Sequence, residues 1–268
     1  MKKDYSSILK EALEKINPSK EEVREINCAI DDFKEKVGRK IKNLKIPAEI
    51  FIGGSFAKKT IIRKDKYDID IFIRFDKEHK EISELTKKML SDFKIEEVNG
   101  SRNYFIINSG NFFIEVVPVS KVSNPRNAEN VTDLSYSHVN YIRRKLSGKI
   151  IDEVKLAKAF CYANNCYGAE SYIKGFSGYA LELLVYKYGG FMKFIKAFEK
   201  IKEKEVIDIE KHFKNKSEVF MDLNEAKLHS PVILIDPTYK KRNALAALSY
   251  ETFSKFKKIC GEFLKKPR

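Results

Sequence analysis

Apolar residues Ile8, Leu9, Leu13 and Ile16 fall three and four apart, the spacing of one helical face, and Pro18 ends that segment. Ser19, followed three residues later by Glu22, carries the capping-box signature, so a second amphipathic helix is predicted from there to about Asn43. The period then changes. Ile46 to Gly53 has strand composition and runs into Gly53-Gly54-Ser55, and Asp68 to Phe75 alternates at period two, as a strand with one apolar face does. Ile82 to Phe93 returns to helical spacing. Tyr104 to Ile107 and Phe112 to Val119 flank Asn108-Ser109-Gly110, which reads as a hairpin.

After Pro125 helical patterns dominate: His138 to Lys145, Asp152 to Asn164, Ser177 to Tyr188 and Phe191 to Lys202, with Gly189-Gly190 breaking the last two apart. A short apolar strand, Val232 to Ile235, precedes Asp236-Pro237, and one long helix is predicted from Ala244 nearly to the C-terminus. The expectation is therefore an α/β or α+β unit followed by a mainly helical one. The division is placed in the polar loop between Ser120 and Ser137, giving domains 1–130 and 131–268. No internal repeat and no low-complexity linker is visible.

Composition narrows the classes. A length of 268 residues suits about two domains, and 43% hydrophobic residues with 19 Phe and 13 Tyr exclude a disordered chain. The formal net charge of +14 implies a partner rich in negative charge, although a solvated, lysine-rich surface accounts for it equally well. No apolar run approaches the roughly 20 residues that cross a bilayer, and no signal-peptide core follows Met1, so a soluble, cytoplasmic protein without membrane attachment is expected. Cys28, Cys161, Cys166 and Cys260 match no zinc or redox spacing and are expected as four buried, reduced thiols. His79, His138, His212 and His229 never pair at helical spacing, so any metal would be held by carboxylates.

Candidate carboxylates exist. On a strand, Asp68 and Asp70 project from one face while Ile69, Ile71 and Ile73 point to the other. Taken alone, that pattern is what a solvated strand face shows. Gly53-Gly54-Ser55, however, ends the preceding strand, where backbone N–H groups and a hydroxyl can cradle a phosphate. Glu115 interrupts the apolar run Phe112 to Val119, and a carboxylate there demands a partner. If that strand lies beside Asp68 to Phe75, three carboxylates form a site able to hold two metal ions for phosphoryl-type transfer.

The order Gly54-Ser55, Asp68-x-Asp70 and a carboxylate on a following strand resembles the polymerase-beta-like nucleotidyltransferase superfamily. The resemblance is closer to the archaeal, class I CCA-adding enzymes, whose neck motifs look like residues 175 to 184 with Tyr188-Gly189, and Ile235-Asp236-Pro237 with Lys241-Arg242-Asn243. It implies an α+β fold, a mixed-sheet catalytic head followed by a mainly helical neck. It also implies template-independent addition of C and A to a tRNA 3′ end from CTP and ATP, with Mg²⁺ in a cleft between head and neck. By position, Asp68, Asp70 and Glu115 would be catalytic metal ligands, Glu115 standing where the family usually has Asp and helping to activate the primer hydroxyl. Gly54, Ser55 and Lys58 match the phosphate-binding turn, Lys58 replacing the usual Arg. Ser135, where Thr is usual, with His138, Lys158 and Tyr167 match triphosphate contacts, and Arg242 the residue that reads the base edge. Other roles stay open: Lys158 as a surface lysine, Tyr167 as a core edge, His138 as a helix start, Arg242 as a structural ion pair with Asp236. Family members continue into domains that grip tRNA, whereas this sequence stops at Lys266-Pro267-Arg268. A separate chain supplying the grip, a fragment, and a reduced enzyme with another RNA or protein acceptor are the alternatives, as is a non-catalytic RNA-binding subunit.

Overall fold

The structure is a computed structural model that describes residues 5–76, 81–100 and 102–267; His79 lies outside them. The chain runs α1 (Ser6–Ile16), α2 (Lys20–Asn43), β1 (Ala48–Ile52), the single-turn α3 (Gly54–Ala57), β2 (Tyr67–Phe75), α4 (Ile82–Met89), β3 (Ile95–Val98), β4 (Tyr104–Ser109) and β5 (Phe112–Ser120). Two 3₁₀ turns, Pro125–Asn127 and Val131–Leu134, lead to α5 (Ser135–Lys145), α6 (Lys149–Ala163), α7 (Gly178–Tyr188) and α8 (Phe191–Lys200). Then come β6 (Glu205–Asp208), α9 (Lys216–Asp222), α10 (Glu225–Leu228), β7 (Val232–Asp236), β8 (Tyr239–Asn243) and α11 (Tyr250–Lys265).

Asn17–Asn140 forms one compact unit, and Tyr141 onward joins the N-terminal segment through Ile16 in the other. These bounds differ from 1–130 and 131–268. The N-terminal difference has a packing cause: Leu9, Leu13 and Ile16 of α1 join the second unit's core, and the Tyr5 hydroxyl donates to the Leu264 carbonyl at 3.0 Å.

In the first unit a five-stranded mixed sheet has the order β1-β2-β5-β4-β3, with β2 and β5 parallel and the other neighbours antiparallel. Ile69, Ile71, Ile73 and Phe75 of β2 bury one face in a core shared with Ile26, Ile30, Phe33 and Val37 of α2. The capping box of α2 forms as the sequence signals, and Glu22 does more than cap. Its carboxylate accepts from the Ser19 N–H at 2.6 Å and the Tyr67 hydroxyl at 2.8 Å and pairs with Arg63 at 3.2 Å. These contacts, the cap first, hold its pKa down to about 2 and tie the start of α2 to the start of β2. The expected hairpin is present as β4 and β5. Short β3 was not expected, and α4 ends at Met89 rather than Phe93.

The second unit is dominated by helices around an aromatic core. Phe256 lies 4.7 Å from Phe176, 5.7 Å from Phe194 and 5.9 Å from Phe198, ring centre to ring centre. It also contains a sheet, β6-β7-β8, that the mainly helical reading did not anticipate. The long helix from Ala244 is corrected: β8 occupies Tyr239–Asn243, and α11 starts only at Tyr250, capped by Ser249. Asn243 explains the interruption. Its buried side-chain oxygen accepts from the N–H groups of Leu234 and Leu245, both at 2.9 Å, while its amide nitrogen donates to Ser230 and Lys227. The thiols also need correction, since Cys28 is exposed on α2 and only Cys161, Cys166 and Cys260 are buried. Among the described residues, no helix is long and apolar enough to cross a membrane. Truncating a ring at the centre of so many ring contacts leaves a cavity, so Phe256→Ala should destabilise by about 3 to 5 kcal/mol in urea denaturation, and a loss below about 1 kcal/mol would contradict this packing account.

Candidate active site

The parallel pairing of β2 with β5 sets Asp70 opposite Glu115, Phe72 opposite Val117 and Arg74 opposite Val119. Neighbouring strands run about 4.8 Å apart, so Asp70 and Glu115 stand side by side on the face opposite the core. Their proximity has an electrostatic consequence. Burial, then the charges of Asp70 and Asp68, push the Glu115 carboxyl up to about 7.

The glycine turn packs directly on this pair. Gly53 donates its N–H to the Asp70 carbonyl at 2.8 Å. Gly54 has φ +59°, and a Cβ there would collide with the Asp70 carboxylate, so only glycine fits. Ser55 follows on α3, and Lys58 ends that helical turn, so the residues expected to hold phosphate adjoin Asp70.

Asp68 behaves differently. It is half-exposed and pairs with Lys64 at 2.8 Å. Among the described residues, no group of three or more His, Cys, Asp or Glu side chains is arranged to hold a metal ion. The structure thus brings Asp70 and Glu115 together, with Asp68 on the same strand face but held by a lysine. Such an exposed pair is weak, worth about 0 to 1 kcal/mol, and a divalent cation would displace the ammonium at little cost. The donor set, two adjacent carboxylates of which one has its proton affinity raised by burial and then by its neighbours' charges, fits a cation ligated by oxygen.

Ser135 and His138 lie in the first turn of α5, which begins three residues before the expected start. Asp133, immediately upstream, is a buried hub that reading the sequence missed. Its carboxylate pairs with Arg102 and accepts the N–H groups of Ser120 at 2.9 Å, Asn130 at 3.0 Å and Glu129 at 3.2 Å.

Lys158, Tyr167 and Arg242 belong to the second unit. Lys158 is not a surface lysine: it is 2% exposed and pairs with the fully buried Glu182 at 2.8 Å. Glu182 also escaped notice, although a carboxylate inside the apolar run of α7 carries the same signal that singled out Glu115. Lys158 and Tyr167 meet over Gly178, where a Cβ would stand 2.9 Å from the Tyr167 hydroxyl and 3.6 Å from Lys158 Nζ. Arg242 pairs through Nη1 with Asp236 at 2.8 Å. Buried Asp236 also accepts the Tyr179 hydroxyl at 3.0 Å and the Thr238 N–H and hydroxyl, each at 2.8 Å. One edge of the guanidinium is therefore fixed.

Residues 3–152 match the family model of the Second Messenger Oligonucleotide or Dinucleotide Synthetase domain, and residues 152–268 that of the second domain of tRNA nucleotidyltransferase. The CCA-adding enzyme of Nanoarchaeum equitans is 41% identical over 210 residues, covering 77% of this chain and 53% of that protein. That of Pyrococcus abyssi is 32% identical over 272 residues, covering 97% of this chain and 59% of that protein. The chain thus spans a little over half the length of these curated relatives. Among solved structures, Cid1 poly(U) polymerase aligns at TM-score 0.75 and 15% identity, covering 100% of this chain and 94% of that one. E. coli MS115-1 CdnC with ATP aligns at TM-score 0.70 and 15% identity, covering 97% and 90%. At such identities these two likenesses show a shared fold.

The raised Glu115 value fixes the sign of a pH effect. Folded protein holds this proton more tightly than unfolded chain, so the contribution is full below the ordinary value of 4.5 and is lost as pH rises through about 7. Glu115→Gln stays neutral throughout. With chelator present it should match the parent near pH 4 and exceed it near pH 8 by on the order of 1 to 2 kcal/mol, measured by urea denaturation. Identical stabilities near pH 8 would mean that burial and the neighbouring charges do not raise this carboxyl.

Proposed function

Because this chain belongs to the family of the CCA-adding enzymes of Nanoarchaeum equitans and Pyrococcus abyssi, with a tRNA nucleotidyltransferase second domain at 152–268, we propose that it adds C and A nucleotides to the 3′ end of tRNA. CTP and ATP are the donors in this reading. The observation that carries it is the Asp70–Glu115 pairing with the Gly54-Ser55 turn packed against it. An α-phosphate and an attacking hydroxyl have to meet at one point. This arrangement offers carboxylate beside phosphate cradle on one sheet face.

Each residue then has a task. Backbone N–H groups of the turn, Ser55 and Lys58 bind phosphate oxygens, and Ser135, His138, Lys158 and Tyr167 bind the remaining triphosphate. Glu115, beside Asp70 on the neighbouring strand, helps to activate the acceptor 3′-hydroxyl. Asp68, Asp70 and Glu115 would hold Mg²⁺, which supplies stabilisation of charge developing on the transferred phosphate. Arg242, fixed by Asp236, presents its free edge to a base. Assignment of 17–140 as catalytic head and the rest as neck follows from the same reading. The excess of +14 charge suits an RNA backbone as acceptor.

A second reading has its own support. The family model over 3–152 is named for synthesis of second-messenger oligonucleotides or dinucleotides, in which the acceptor is itself a nucleotide. One assay separates the two: labelled CTP, ATP, GTP or UTP is supplied singly and in pairs, with or without tRNA lacking its 3′-terminal CCA. Extension of tRNA by C and then A supports the first reading. Products formed without RNA support the second.

Removing a carboxylate should stop either chemistry. Asp70→Ala should lower turnover by roughly 10³-fold or more while leaving nucleotide binding without metal within about threefold, because the lost interaction is made in the transition state. Arg242→Ala should cost about 1 to 3 kcal/mol of discrimination for CTP and ATP over UTP and GTP, by analogy with bidentate base contacts. Undiminished turnover, or unchanged base preference, would remove the respective assignment.

A further inference from the structure

Ser135 and His138 can hold a triphosphate only if the first turn of α5 is fixed relative to the carboxylates. Tyr136, between them, supplies one anchor. Its ring lies over the Arg74 guanidinium, with Arg74 Cζ 3.5 Å from the ring centre. Phe51 closes the far side, its ring centre 4.8 Å from that of Tyr136 in an edge-on contact and 5.9 Å from Arg74 Cζ. Arg74 stands on the face of β2 that carries Asp68 and Asp70. Glu49, opposite it on β1, forms its ion pair. The second anchor is Asp133, which receives the Ser120 N–H at the end of β5 and the Arg102 guanidinium. Ser135 therefore sits between two attachments, one to β5 and one to β2.

Arg74 leaves its buried Nε without a hydrogen-bond partner, a net cost to folding. An apolar side chain of similar length would fill the space without that cost. What arginine adds is a flat, delocalised cation that grips an aromatic face, which neither lysine nor methionine reproduces.

The geometry points to Arg74 and Tyr136 as positioning residues for a nucleoside triphosphate: their stack sets where Ser135 and His138 stand relative to Asp70 and Glu115. This rests on the assignment of Ser135 and His138 to triphosphate binding made above. Neither Arg74 nor Tyr136 needs to touch the nucleotide. A two-residue clasp acting through α5 has a recognisable signature, since it alters nucleotide affinity without altering the grip on RNA.

The test compares Tyr136→Phe, Tyr136→Ala, Arg74→Lys and Arg74→Ala. Affinity for CTP and for ATP with Mg²⁺ is measured by calorimetry, KM and kcat with tRNA lacking CCA, and stability by urea denaturation. Tyr136 is 38% exposed, so its alanine variant should fold. Both alanine variants should bind nucleotide about tenfold more weakly or worse and raise KM for nucleotide correspondingly, with KM for tRNA unchanged. Tyr136→Phe, which keeps the ring, should restore affinity, whereas Arg74→Lys, which loses the plane, should not. Parent-like nucleotide affinity in Tyr136→Ala would overturn the proposal, as would a phenylalanine variant as impaired as the alanine one. If the parent binds CTP and ATP but extends no tRNA, the tRNA reading fails while the affinities still decide the clasp. A parent that binds no nucleotide would overturn both.

Discussion

Two carboxylates on adjacent parallel strands repel each other, and the fold leaves them nowhere else to go. β2 and β5 are paired along their length, and the opposite face of β2 is filled by Ile69, Ile71, Ile73 and Phe75 against α2. A slip of one residue would separate Asp70 from Glu115, but it would also turn those apolar side chains out of the core. Each such side chain is worth about 1.5 to 3 kcal/mol when buried, so the packing outweighs the repulsion and holds the charges together. Burial first, and the charges of Asp70 and Asp68 after it, push the Glu115 carboxyl up to about 7 in that position.

The surrounding contacts make sense as consequences of holding such a pair in place. Gly54 gives up a side chain so that the turn can press on Asp70. Glu22 links the cap of α2 to Tyr67 and Arg63 at the entrance of β2, and Asp133 gathers Arg102 and three backbone N–H groups at the exit of β5. In the second unit the same economy recurs inside an apolar core, where Lys158 and Glu182 neutralise each other below Gly178 and Tyr167. Breaking one partner of such a buried pair leaves a lone charge, which costs far more than the pair contributes when intact.

The first unit was legible because its signals are local. The capping box at Ser19 and Glu22, the alternation of β2 and the turn between β4 and β5 each lie within a few residues, and the odd carboxylate in β5 stands out against its apolar neighbours. What escaped depends on distance or on unfavourable composition. β3 is four residues with two Glu, and β8 reads Tyr-Lys-Lys-Arg-Asn, so neither shows an apolar period. The break at Asn243 depends on hydrogen bonds to residues from Lys227 to Leu245, and α1 joins the second unit through contacts across almost the entire chain. Pairs such as Lys158 with Glu182 or Asp133 with Arg102 are invisible to periodicity, although a charge within an apolar helix announces that a partner must exist.

The claim on which the rest turns is that Asp70 and Glu115 form one electrostatic unit suited to a divalent cation. Carbon-13 NMR titration of the glutamate carboxyls, with the Glu115 signal identified by its loss in Glu115→Gln, measures this directly. Without metal the Glu115 carboxyl should titrate near 7, and saturating Mg²⁺ should draw it down below the ordinary carboxylate value of 4.5. A Glu115 carboxyl that titrates at its ordinary value without metal, or whose raised value is indifferent to Mg²⁺, would contradict the account.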